Sequence, residues 1–572
     1  YTYNVNGQVT SVADPLNRVT SLVYNAQGFN TSVTEAVGSG LDRTTTYTYL
    51  ANGWVSTVEN GLNQVTTYAY TVYGDVAAVT DSLGNRNTFT YDAAQQVTQV
   101  ADGLNNLTSY TYNNRGWVTE VQNALNHRVT FTYDTEGNRL TSKDANLGIT
   151  TYSYDVLNRV VDITDPLSHT STTVYDAVDN VIATIDALGH RTTFSYDALN
   201  RLETVENAIS NVTTYSYDPV GNLQTIEDAV NNVSTYVYDD LNRRVNTIEP
   251  NGSKTTFIYD AASQMTGLID PNTNRTTFVF DALGRQTQEI DALNKTITYT
   301  YNAIDQLTQK KDRKTQTIDY TYDDAGRLTN QVWKNSGGTT VNRVTYTYDN
   351  AGHLLTARDT NGAYTFTYDV AGQVLTQKDM WSTTLTFTYD NVGNRTKVQD
   401  SFSGVETSTY DSANRLTSRK FGGVGGTSHR LEFTYTNADQ LENIKRYNAA
   451  TSGTMIGQTT FTYDNALRMA GIKNANTGGT VLSQYTYTYD AVNRLSTEEL
   501  GGVTKTFSYD VRSQLTGDGT ASYGYDSAGN RNNSSQTITA GNRLDLDTNW
   551  DYSYDDEGNL TGKVSVAMPT VT

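Results

Sequence analysis

Tyr175-Asp-Ala-Val-Asp-Asn-Val-Ile-Ala-Thr-Ile-Asp-Ala-Leu-Gly-His-Arg-Thr-Thr-Phe-Ser-Tyr196 is the stretch that decides the fold. Two acid-led strings, Asp176–Asn180 and Asp186–His190, have turn chemistry, because an acidic side chain bonds its own backbone a few residues on. Between and after them, Val181–Ile185 and Arg191–Tyr196 are short β-branched and aromatic runs that predict strands. Residues i and i+2 of a strand share a face, so Phe194 and Tyr196 stand side by side. Two strands and two turns make one 21-residue hairpin ending at Tyr196.

The same hairpin recurs outward in both directions. Tyr49, Tyr70, Tyr91, Tyr112, Tyr133, Tyr154, Tyr175, Tyr196, Tyr217, Tyr238, Tyr259, Phe280, Tyr301 and Tyr322 fall at intervals of 21 residues. Tyr3 and Tyr24 precede them, and ten further anchors from Tyr348 to Tyr554 follow at intervals of 16 to 29, making 26 in all. The position two before the anchor is aromatic in 23 of the 26 units, so 38 of the 42 tyrosines are set by the repeat and are expected to be scaffold. Proline placement agrees independently: Asp14-Pro15, Asp165-Pro166, Glu249-Pro250 and Asp270-Pro271 all put the acid ten residues before an anchor, in the second turn. The spacing divides the chain into a regular array over 1–322, a less regular continuation with longer Gly-rich loops over 323–560, and an unpatterned tail over 561–572.

Consecutive hairpins joined by short turns must pair side by side, which predicts an all-β chain: one antiparallel sheet growing by two strands per unit. Laid flat, 26 units would span on the order of 250 Å. Twist accumulates in so wide a sheet, so it is expected to wind into a spiral, hollow shell or tube whose successive turns shelter one another's strands. Forty-one basic against 61 acidic residues, a net charge of −20, disfavours a polyanionic partner, and no basic stripe supports nucleic-acid binding. There is no cysteine for disulfides or thiolate metal sites, and no apolar run of the roughly 18 residues that span a bilayer. The chain starts inside a repeat without Met, which reads as part of a longer polypeptide.

Tyr196-Asp-Ala-Leu-Asn-Arg-Leu202, Tyr133-Asp-Thr-Glu-Gly-Asn-Arg-Leu140, Tyr322-Asp-Asp-Ala-Gly-Arg-Leu328 and Tyr389-Asp-Asn-Val-Gly-Asn-Arg395 resemble the tyrosine-aspartate repeats of the Rhs family, and the resemblance covers Tyr1 to about Leu560. That family includes bacterial Rhs proteins, the C component of insecticidal Tc toxins and the animal teneurins. The resemblance implies repeats wound into a hollow cocoon which, in the toxins, encloses a C-terminal effector. The module that plugs and cleaves toxin shells has no counterpart in these residues, so neither autoprotease nor effector is assigned. The uniform spacing leaves room for a long fibre built from the same unit.

Asp follows the anchor in 19 of 26 units, too many copies for catalysis, and is expected to hold turns. Arg159, Arg201 and Arg243 are expected to pair with these acids along the sheet or to lie solvated. His127, His169 and His190 share the position six before their anchors, yet neighbours one hairpin apart stand too far from each other to share a metal. Trp54 and Trp117, each five after an anchor, suggest packing between spiral turns ahead of an exposed platform for sugars or a partner. Ser336–Gly338, Phe421–Gly426 and Thr477–Thr480 read as hairpin loops. No catalytic, cofactor or metal site is assigned, and no enzyme is expected. The expected role is a structural shell segment, extracellular or at a bacterial cell surface, enclosing or displaying an effector or cargo encoded elsewhere in the polypeptide. The alternative is a surface fibre or adhesin that assembles with its own copies or binds glycans or proteins.

Overall fold

The computed structural model describes residues 1–423, 427–533 and 535–566. They contain no helix, and 47 strands from Thr2 to Thr506 form one sheet in which each strand pairs antiparallel with the strands before and after it in sequence. Val181–Ile185 and Arg191–Tyr196 are strands with the expected bounds. Both turns of the hairpin are built alike. In the first turn of the preceding hairpin, the Asp155 amide donates to the Arg159 carbonyl at 3.0 Å and Asn158 returns to the Asp155 carbonyl at 3.0 Å, with Asn158 at φ 62°. That left-handed position favours Gly, Asn, Asp or Ser, which is why Gly137, Asn158, Asp179 and Asn200 occupy it in four successive first turns.

A bulge accompanies every regular anchor. Thr111 faces Glu120 but Tyr112 faces Val118, so Thr119 is an extra residue, and its hydroxyl donates to the Thr111 carbonyl at 3.2 Å. The same slip recurs at Ser195/Tyr196 and at Thr321/Tyr322. A bulge bends its strand and steepens the local twist. Repeated at one register in hairpin after hairpin, the bend adds in one direction and the ribbon curls.

Contacts remote in sequence show how it closes. Ser82 donates to the Asp324 carbonyl at 2.5 Å, Asn146 Nδ2 to Asp390 at 2.9 Å, and Asn272 Nδ2 to Asp526 at 2.8 Å. In each case a turn preceding an anchor meets a turn following an anchor eleven repeats later, as from Tyr91 to Tyr322. Some twenty-two strands per winding at about 4.8 Å each give a circumference of about 105 Å and a backbone diameter of about 34 Å. Windings therefore touch through their hairpin turns and not along strand edges, because the hydrogen-bonding direction of the sheet runs around the spiral. Aspartates at the tips tie the seam: Asp305 takes Arg285 at 3.3 Å from its own winding and Arg43 from the one before.

The wall is a single layer. Strands contact their sequence neighbours and no second sheet covers either face among the described residues. The chain exposes 31283 Å², whereas a compact globule of its mass would expose about 20,000 Å². Buried side chains are few and mostly small, such as Ala78 and Ala183, with Phe387 the largest.

The continuous sheet ends at Val503–Thr506, short of the expected run to residue 560. Anchors spaced 16 and then 29 residues apart break the alternation there, leaving the pair Ser508–Tyr509 with Leu515–Gly517 and a four-stranded sheet from Thr537 to Ser565. The tail expected from 561 is also corrected: Leu560–Ser565 is a strand paired with Trp550–Tyr554, since its alternating Thr, Lys and Ser suit an edge. Residues 567–572 lie outside the described residues. This last sheet clasps the winding before it through Lys314–Asp555 at 3.1 Å and Lys295–Asp556 at 2.9 Å. Asn335–Thr339 and Asn476–Thr480 are hairpin turns as expected, while Val424, Gly425 and Gly426 of the third Gly-rich stretch lie outside the described residues.

A Gly-Ser insertion distinguishes the two kinds of turn. Placed between Ser82 and Leu83, under the next winding, it should destabilise the chain by about 1–3 kcal/mol. Placed between Gly478 and Gly479 it should leave the urea midpoint unchanged, and equal effects at both places would contradict the seam.

Candidate functional site

The wall itself is the candidate functional element, and its working part is the junction between hairpins. Val181 pairs with Tyr175 on one side, but on the other the ladder stops at Ala183–Thr193. The Val181 carbonyl is thus left without a backbone donor, and the Tyr196 hydroxyl supplies one at 2.9 Å. Tyr91 bonds Val76, Tyr133 bonds Val118, Tyr154 bonds Arg139, Tyr217 bonds Leu202, Tyr259 bonds Arg244 and Tyr322 bonds Leu307 in the same way, at 2.7 to 3.1 Å. Where the hairpin lengthens, the acceptor keeps its register: Tyr463 reaches Leu441 and Tyr489 reaches Met469, each the sixth residue after the preceding anchor. Tyr175 and Tyr238 occupy the same register without this bond among the described residues.

The aspartate after the anchor closes its turn. Asp155 Oδ1 accepts the Leu157 and Arg159 amides at 2.9 and 3.0 Å, and Oδ2 takes Arg159 Nε at 2.7 Å. Arg159 then reaches forward, donating to the Asp176 carbonyl and to Asp179, both at 2.8 Å, and lying 4.6 Å over the Tyr175 ring. Arg201 and Arg243 repeat this over Tyr217 and Tyr259. The expected pairing is present, with each arginine spanning two repeats and covering the next anchor by a cation–π contact. Arginine hydrogen bonds, then backbone amides, hold the Asp155 and Asp197 carboxyls below their ordinary range. Burial raises the anchor phenols Tyr91, Tyr154, Tyr217 and Tyr322 above theirs.

Position five after the anchor, which carries these arginines, is a site that the sequence signalled only weakly. Its occupants vary, but most of them reach the next repeat. Gln96 donates to the Gly116 carbonyl at 3.0 Å, and His353 stacks on Tyr368 at 4.7 Å. Trp54 and Trp117 belong to this set: they pack on Tyr70 and Tyr133 at 5.1 and 5.4 Å. They cover the next anchor within one winding and do not pack between windings, because the strand carrying the next tyrosine lies closer than the seam.

Histidines at the second turn pair first with their own acids, His190 with Asp186 at 2.9 Å and His169 with Asp165 at 3.2 Å. His169 meets no other histidine; Asp439 of the next winding completes its surroundings, with the three ligand atoms within 4.8 Å of one another. Asp439 is already neutralised by Arg415 at 2.6 Å, which disfavours a cation there. A seam cavity of about 710 Å³ is lined by Asp186, His190 and Arg468. Asp186 and His190 bond each other, and Arg468 is held by Asp464 at 2.7 Å, so its ionisable groups are committed to turns.

Two measurements test these contacts. Tyr196→Phe should cost about 1–2 kcal/mol by orphaning the Val181 carbonyl, read as faster amide exchange in 176–196 with no loss elsewhere. Against pH, the lowered carboxyls give stability that is complete above about pH 4 and lost as pH falls through their lowered values. The raised phenols give stability that is complete below about pH 10 and lost as pH rises through their raised values. Far-ultraviolet circular dichroism should therefore hold between these limits and collapse outside both, and a strand signal intact at pH 2 would refute the carboxylate assignment.

Comparison with known proteins agrees with this geometry. The Teneurin YD-shell family model matches residues 17–165. The RHS Repeat model matches 175–208 and then overlapping stretches from 217–254 to 322–364, each beginning on an anchor position. No curated protein matches the chain by sequence. Among solved structures, a TcdB2-TccC3-Cdc42 crystal structure superposes with TM-score 0.71 at 13% identity, over 97% of this chain and 42% of that one. A TcdB2-TccC3 crystal structure gives 0.66 at 14%, over 96% and 37%. This chain thus spans less than half the length of those structures, and at such identity the likeness is one of fold. No helix among the described residues is long and apolar enough to cross a membrane. With its phased anchors, its single-layer spiral wall and both family matches, the chain belongs to the Rhs/YD-repeat family and is built as a structural shell.

Proposed function

We propose that this chain is the wall segment of a larger Rhs-like polypeptide, secreted or displayed at the cell surface, whose shell encloses an effector or cargo encoded elsewhere in the same polypeptide. The observation that carries the reading is the seam: turns eleven repeats apart are bonded, so the ribbon closes on itself around a lumen. A lumen clear of side chains by about 20 Å admits an extended or partly unfolded chain more readily than a folded domain. The wall contributes enclosure, and the aspartates and arginines of its repeat turns serve the turns and junctions.

Electron microscopy of the full-length polypeptide should show closed hollow particles, and the enclosed segment should resist protease until the wall is opened below pH 4. Filaments of indefinite length would favour the fibre instead, and a segment cleaved as fast inside the intact particle as outside it would overturn enclosure.

A further inference from the structure

Turns that follow the anchors occur in two settings. From Tyr259 onward they rest on an earlier winding, and their apolar tips, such as Leu283, Ile304 and Val392, are half-buried. In the first winding the same tip position is bare: Leu157, Leu199 and Leu241 are 57%, 69% and 64% exposed. Soluble chains rarely leave such a row of large apolar residues uncovered.

Lengths at the two free rims differ. Every bare first turn, from Asn4–Gln8 to Asp239–Arg243, keeps the five residues found in the covered ones. At the opposite rim the closing bonds run Asp359 to Gly362, Asn476 to Thr480 and Asn448 to Thr454, that is, over four, five and seven residues. A rim seated on another rim is nearly uniform in length, the covered turn 36–42 beside Arg43 being the one long second turn before residue 316, whereas a rim facing solvent tolerates insertions.

Charge is also left over. Asp305 holds Arg285 of its own winding and receives Arg43 from the winding before, while Asp439 holds Arg415 and has His169 of the winding before within 4.8 Å. Asp179 stands at the same register and holds Arg159 at 2.8 Å, but it is 72% exposed and no earlier turn reaches it.

We infer that the first-turn rim of the first winding is a docking seat for a further winding of YD hairpins, carried by the same polypeptide ahead of Tyr1, with mostly five-residue second turns and a cation placed against Asp179. The seam register points to that occupant, because every covered first turn rests on a second turn about eleven repeats earlier in the same chain. A second copy would have to offer the opposite rim, whose unequal loops make no even seat. The solved structures of like fold, more than twice this length, leave room for such a segment.

The inference rests on the shell reading, and its test separates the two. The chain has no cysteine, so Leu157→Cys and Leu199→Cys in the full-length polypeptide report this rim alone, and both sites are exposed enough to accept the change. Maleimide labelling of the native polypeptide should be at least about 10-fold slower than after unfolding in urea, at all protein concentrations. Native labelling within about twofold of the unfolded rate would overturn the inference, as would protection that disappears on dilution, which would assign the seat to a second copy. Free labelling of particles that microscopy shows to be closed would sink the inference alone, whereas particles that are not closed would sink the shell reading.

Discussion

The bond that most anchor phenols make to a carbonyl of the preceding hairpin is the interaction on which the rest of the wall depends. A bulge at every anchor bends the ribbon, and the same bulge lets the ladder between hairpins end early, leaving a carbonyl such as that of Val181 unpaired. A buried or half-buried carbonyl without a donor is costly, and the tyrosine hydroxyl removes that cost while its ring fills the gap. Curvature and cohesion therefore come from one residue. Phenylalanine can supply the ring, as Phe280 does, but not the bond, which explains why 25 of the 26 anchors are tyrosine.

Around that bond the wall is stabilised sideways, not inwards. Few side chains are buried, so the usual apolar core is replaced by contacts repeated from hairpin to hairpin: phenol to carbonyl, guanidinium to the next ring, carboxylate to its own turn. Each is worth little by itself. Stability approximates a sum of repeat and nearest-neighbour terms, as in other repeat arrays, with the seam adding coupling across a whole winding. Such a design leaves both faces of the sheet free, and a free inner face is what an enclosing wall needs.

The seam also accounts for a feature of the spacing. Apart from the seven-residue turn 36–42 between Glu35 and Arg43, second turns keep five residues as far as Asp312–Gln316, the turn that lies beneath the acidic tip Asp555–Glu557. Beyond it, strands lengthen to as many as nine residues, as in Thr340–Tyr348 and Met455–Tyr463. Apart from the 25-residue step from Tyr24 to Tyr49, loss of strict periodicity coincides with the turns that no later winding covers. The spacing is thus mostly regular where another rim constrains it.

The sequence by itself determined the hairpin, its strand bounds at Val181–Ile185 and Arg191–Tyr196, the turn role of Asp155 and its equivalents, and the need for a sheet this wide to curl. Those follow from local chemistry: side-chain alternation, acid-led turns and strand twist act over a few residues. Only the tertiary structure decided the number of repeats per winding, the pairing of Arg43 with Asp305, the placing of Asp439 beside His169, and the packing of Trp54 and Trp117 on the next anchor. Each of these depends on how small bends sum over about twenty strands, a quantity that no single repeat encodes. The break after Thr506 and the strand at Leu560–Ser565 were hidden for the same reason, since what decides them is which neighbour remains available to pair.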